Sequence, residues 1–126
     1  MGKLVLVVDD EEMTRQMLST LLNLDGYECM EAVDGLDAIE KALAFKPSAI
    51  ILDVMMPKLD GITVCKRLRA DPITENVPII ILSGQSHANS EGEGLEAGAN
   101  AYLRKPMNPK GMLRLLKDLM ARDPLG

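Results

Sequence analysis

At 126 residues, 47% of them apolar and 26% charged, the chain has the size and composition of one soluble globular domain. A net charge of −5 leaves no basic stripe for gripping a polyanion, so direct binding of nucleic acid is not expected. No apolar run approaches the ~20 residues needed to cross a bilayer, and Met1-Gly2-Lys3 passes straight into a strand-like run, so the expected location is cytoplasmic, without membrane insertion.

Lys3 to Val8 is a β-branched apolar run that ends in Asp9-Asp10-Glu11-Glu12. The helix that follows carries Met13, Met17, Leu21 and Leu24 at intervals of three and four, with Leu18 and Leu22 widening the stripe and Asp25-Gly26 closing it. Tyr27 to Val33 mixes Glu28 and Glu31 with apolar residues, which suits an exposed edge strand. A second helix opens at Asp34-Gly35, places Leu36, Ile39, Ala42 and Leu43 on one face, and stops before Pro47. The run Ala49 to Leu52 is apolar throughout and reads as a strand buried on both faces, with Asp53 at or just past its C-terminal end.

After Pro57 and Asp60-Gly61 a third helix turns Ile62, Cys65 and Leu68 inward and Lys66, Arg67 and Arg69 outward. A loop over residues 71–76 leads to a fourth strand, Val77 to Leu82, which runs into Ser83-Gly84. A short fifth strand fits Ala101-Tyr102-Leu103, followed by Lys105-Pro106, and a last helix takes Asn108 as N-cap and Pro109 as first residue, burying Met112, Leu116 and Leu119. Cys29 and Cys65 lack metal-ligand spacing and read as small buried hydrophobes.

Strands alternating with helices at this spacing predict an α/β fold, doubly wound about a parallel sheet. Ligands in such sheets bind beyond the strand C-terminal ends. Asp9, Asp10, Asp53, Ser83 and Lys105 all fall there. Each has an ordinary explanation alone: acids cap helix starts, Asp and Ser-Gly open turns, and lysine is usually solvated. Together they fit phosphoryl transfer to an aspartate, because clustered carboxylates repel unless a cation sits among them, and Mg²⁺ takes one or two carboxylates while keeping waters.

At these positions the chain resembles the receiver domains of two-component response regulators, of the chemotaxis-type, single-domain form. Asp9-Asp10, Asp53 followed by Met56-Pro57 and Asp60-Gly61, Ser83, and Tyr102 followed by Lys105-Pro106 match that family's motifs in order and spacing, from about Lys3 to Met120. The resemblance implies a flavodoxin-like five-stranded sheet of order 2-1-3-4-5 with five helices, which brings strands 1 and 3 together. Residues 1–126 would be one receiver domain, with 121–126 a tail or linker stump.

The resemblance also assigns roles. Asp53 would accept the phosphoryl group from a phosphohistidine on a sensor histidine kinase or phosphotransfer protein. Asp10, Asp53 and the backbone carbonyl of Met55 would hold Mg²⁺, with Asp9 acting through a metal-bound water. Ser83 and Lys105 would each meet a phosphoryl oxygen, and Tyr102 would turn inward as Ser83 moves. Pro106 would follow a cis peptide bond. The fourth helix, fifth strand and fifth helix would form the surface offered to a downstream protein or output domain.

Ser83-Gly84 stands where the family more often has Thr followed by Ala, which keeps the hydroxyl and drops a methyl. The fourth helix should fall within Ser90 to Gly98, where Gly92 and Gly94 predict a short, fraying element. Gln85 is a candidate for orienting a hydrolytic water, and His87 reads as a solvated loop residue. Two other readings share these residues: a Mg²⁺-dependent phosphohydrolase with an Asp nucleophile, and a receiver-like module that is never phosphorylated. The first lacks a second acid two residues after Asp53, where Met55 stands. A nucleotide carrier would need a phosphate-cradling loop where Asp9 to Glu12 lie.

Overall fold

Three runs rich in Val, Ile and Leu become the central strands of one parallel sheet, two runs of mixed composition become its edges, and the amphipathic segments between them cross over as helices on its two faces. The structure, a computed structural model, describes residues 3–54, 59–84, 90–105 and 108–121. The strands are β1 (Leu4–Val8), β2 (Glu28–Ala32), β3 (Ala49–Asp53), β4 (Ile79–Ser83) and β5 (Ala101–Arg104), in the order β2-β1-β3-β4-β5. The helices are α1 (Glu12–Leu24), α2 (Gly35–Phe45), α3 (Gly61–Ala70), α4 (Ser90–Glu96) and α5 (Pro109–Ala121). This is the expected doubly wound architecture. β3 and β4 are buried along their whole length, and β2 is the partly exposed edge strand that its mixed composition predicts.

Alternation along the strands divides the core in two. Val5, Val7, Ala49, Ile51, Ile80 and Leu82 face Leu18 and Leu22 of α1 and Met112, Leu116 and Leu119 of α5. Leu6, Val8, Ile50, Leu52, Ile79 and Ile81 face Ala38 and Ala42 of α2, Val64, Cys65 and Leu68 of α3, and Ala97 just after α4. Asp34 caps α2 by accepting from the Asp37 N–H at 2.8 Å, and Asp60 caps α3 by accepting from the Thr63 N–H at 2.9 Å. Asn108 caps α5 as its sequence predicts, accepting from the N–H groups of Lys110 and Gly111.

Three side-chain placements differ from the sequence reading. In α1 the inward face is Leu18, Ser19 and Leu22, while Met13 is 79% exposed and Leu24 81% exposed. Two apolar stripes run side by side there, and periodicity cannot choose between stripes offset by about 100°. In α2 the buried Gly35, Ala38 and Ala42 set the helix phase, which turns Leu36 outward. Arg69 is only partly exposed: its guanidinium donates to the carbonyls of Gly98, Thr74 and Glu75 and to the side chain of Asn100. That clamp ties the end of α3 to the α4–β5 turn, and burial pulls the Arg69 pKa below its ordinary value. α4 is seven residues long, short as its glycines led one to expect.

Candidate functional site

The C-terminal ends of β1, β3, β4 and β5 carry the side chains that sequence reasoning singled out, and backbone bonds beyond the strand ends fix where they start. The Asp9 N–H donates to the Ala32 carbonyl at 3.2 Å, the Val54 N–H to Leu82 at 3.1 Å, and the Lys105 N–H to Ser83 at 2.7 Å. Each ladder is thus extended past its last strand residue, so Asp9 and Lys105 leave the sheet from anchored backbone.

Face parity sorts the site. Asp9 follows Val5 and Val7, Asp53 follows Ala49 and Ile51, and Lys105 follows Ala101 and Leu103, all on the α1/α5 face. Ser83 follows Ile79 and Ile81, and Tyr102 packs beside them, on the α2/α3/α4 face. Asp9, Asp53 and Lys105 therefore rise from one side of the sheet and the Ser83 hydroxyl and Tyr102 phenol from the other.

Asp9, Asp10 and Asp53 present one carboxylate oxygen each, all within 4.8 Å of one another. Asp9 is 2% exposed and Asp53 8%, whereas Asp10 is exposed. Unit charges ~4 Å apart repel by about 1 kcal/mol in water and about 4 kcal/mol near a protein surface. Lys105 offsets part of this, its Nζ lying 3.4 Å from Asp9 Oδ2 and 3.6 Å from Asp53 Oδ2. The other Asp9 oxygen accepts from the Glu11 N–H at 2.9 Å. Three carboxylates converging from two strand ends, one of them open to solvent, are a hard-oxygen donor set that suits a hydrated divalent cation such as Mg²⁺.

The Ser83 hydroxyl, 1% exposed, donates to the Gly84 carbonyl at 3.0 Å. Tyr102 is half-buried against the α2/α3/α4 core. Gly61 opens α3 directly over the end of β3: its N–H donates to Val54 O at 2.9 Å, and a Cβ there would stand 2.3 Å from the Asp53 carbonyl. Only glycine admits that approach, which accounts for Asp60-Gly61 following the aspartate strand. Met55, Gln85, His87 and Pro106 lie outside the described residues.

One neighbour of the site escaped sequence reasoning. The Arg15 Nη1 donates to the Asp9 carbonyl at 2.8 Å, and its Nε pairs with Glu31 of β2 at 3.0 Å. The available signal was helical spacing, since Arg15, Leu18, Ser19 and Leu22 share one face.

Comparison with known proteins agrees with this geometry. Residues 5–117 match the response regulator receiver domain. The phosphate regulon transcriptional regulatory protein PhoB of Pseudomonas aeruginosa is 38% identical over 125 residues, 99% of this chain and 55% of that protein. The chain thus spans about half the length of the curated relatives it matches. A putative response regulator from Chloroflexus aurantiacus superposes with a TM-score of 0.92 at 38% identity, over 97% of this chain and all of that one. The receiver domain of the sensor histidine kinase PA1611 from P. aeruginosa, with a magnesium ion coordinated in its active site cleft, has a TM-score of 0.90 at 29% identity, over 97% of this chain and 100% of that one. With its sheet order, its acidic strand edge and these matches in agreement, the chain belongs to the family of receiver domains that serve as signalling modules in two-component systems.

Proposed function

We propose that the chain receives a phosphoryl group on Asp53 from the phosphohistidine of a sensor kinase or phosphotransfer protein, in a Mg²⁺-dependent step. The observation that carries this reading is the convergence of Asp9, Asp10, Asp53 and Lys105 at one end of the sheet. An Asp53 oxygen attacks phosphorus as the N–P bond breaks, and the imidazole leaves with the bonding pair and is protonated. Asp10 and Asp53, with the Met55 carbonyl and with Asp9 through a water, would hold the cation. Such a cation would supply neutralisation of charge on the transferring group.

Lys105 stays within reach of Asp53 to pair with a phosphoryl oxygen. Ser83 gives up its Gly84 contact to donate to another, and Tyr102, on the same face of the sheet, follows it inward. α4, β5 and α5 then present an altered surface to a partner or an attached output unit. Relatives named as transcriptional regulators are about twice as long as this chain, so two arrangements compete, a single-domain chemotaxis-type receiver and the receiver portion, residues 1–126 with 121–126 as linker, of a longer regulator. In both, the acidic receiver acts in the cytoplasm and leaves nucleic acid to the output. Its chemistry is confined to its own phosphorylation and slow dephosphorylation.

Incubation with Mg²⁺ and a small acyl or amido phosphate, followed by intact mass, tests the core of this. One phosphoryl group is expected on the wild type and none on Asp53→Asn. An equal gain in the variant would refute it.

A further inference from the structure

The acidic edge has an outer support that its own residues do not supply. Arg15 reaches from the inward face of α1 to the β1–α1 connection and donates from Nη1 to the carbonyl of Asp9, at 2.8 Å. Its Nε is held by Glu31 Oε1 at 3.0 Å, and the second Glu31 oxygen accepts from the Ser19 hydroxyl at 3.4 Å. The Glu31 carbonyl in turn accepts from Lys41 Nζ at 2.6 Å, and Lys41 pairs with Asp37 at 3.2 Å. The side chain of Arg15 is only 12% exposed. A planar guanidinium bonded on two of its edges cannot rotate freely, and the peptide it grips is the one that joins Asp9 to Asp10. Turning that peptide about the Asp9 Cα–C bond would carry Asp10 and its carboxylate away from Asp9, whose own N–H is anchored on Ala32, and from Asp53.

We infer that Arg15, oriented by Glu31, is a positioning residue for the cation site: it locks the Asp9–Asp10 peptide so that the Asp10 carboxylate is held against those of Asp9 and Asp53. The inference rests on the proposed cation site and extends it to residues that contribute no ligand atom. Groups that orient metal ligands from behind change affinity by about 10- to 100-fold when removed. A lysine in place of Arg15 keeps the charge but offers its donors from one rotatable nitrogen, without the fixed fork of the guanidinium.

Calorimetric titration with MgCl₂ and no phosphodonor reads this directly, alongside denaturant unfolding of each variant. Arg15→Ala is expected to raise the Mg²⁺ dissociation constant about 10-fold or more. Arg15→Lys and Glu31→Gln should fall between, and Glu31→Gln should add little on top of Arg15→Ala, because both act through one contact. In phosphorylation assays the half-saturating Mg²⁺ concentration should rise by the same factor, while the rate at saturating Mg²⁺ returns close to that of the wild type. Lowered stability with an unchanged dissociation constant in Arg15→Ala and Arg15→Lys would overturn the inference and leave Arg15 a structural residue. Wild type and Asp10→Asn titrating alike would instead remove the cation site itself, and the inference with it.

Discussion

Gly92 and Gly94 are two residues apart in one short helix and meet different surroundings. A Cβ on Gly92 would touch nothing within 4 Å, whereas one on Gly94 would stand 3.0 Å from Ile81 Cδ1 and 3.2 Å from the Tyr102 ring. Gly92→Ala is therefore expected to raise stability by about 0.5–1 kcal/mol through helix propensity. Gly94→Ala should lower it by about 1 kcal/mol, because tight packing resists an added methyl. Urea unfolding of both variants decides the matter, and equal gains would count against the packing argument. The sequence alone makes the two glycines equivalent helix breakers. It takes the sheet beneath to show that Gly94 makes room for the tyrosine proposed as a switch.

At the scale of elements, α1 separates what periodicity can tell from what it cannot. Leu18→Ala should cost about 2–5 kcal/mol and Met13→Ala less than about 0.5 kcal/mol, since Leu18 is buried between the sheet and α5 while Met13 faces outward. Matching denaturation midpoints for the two would restore the stripe first read from the sequence. The three central strands were legible because each is a dense run of Val, Ile and Leu with punctuation on both sides, whereas the mixed edge strands and the sheet order rested on the alternation with helices and on the family resemblance. The acids and Ser83 were legible because they end apolar runs, and Lys105 because it stands with Pro106 just past the short run Ala101-Tyr102-Leu103. Arg15 and Arg69 were not, because a basic residue on a helix defaults to solvent. The Asp9 carbonyl and Glu31 in one case, and the carbonyls of Gly98, Thr74 and Glu75 with Asn100 in the other, turn them inward.

For the molecule as a whole, the acidic edge sets stability against function. Three carboxylates within 4.8 Å weaken the metal-free fold, so Asp10→Asn should be the more stable protein without cation. Mg²⁺ at 100 times its dissociation constant should add about 2.7 kcal/mol to the wild type. For a domain of this size that is a rise in Tm of roughly 10 °C, and the variant should show none of it. Thermal unfolding with and without MgCl₂ measures both effects, and an identical shift in the two proteins would contradict them. The division of the site between the sheet's two faces carries a further consequence, for how the protein tolerates change in chain length. Inserting or deleting one residue within β4 or β5 leaves strand composition and helix contacts largely recoverable. It carries Ser83 or Lys105 to the opposite face all the same. Length variation should thus be accommodated in the connections, such as residues 71–78, while within the strands the site works as a reading frame, kept by parity as strictly as a codon is kept by threes.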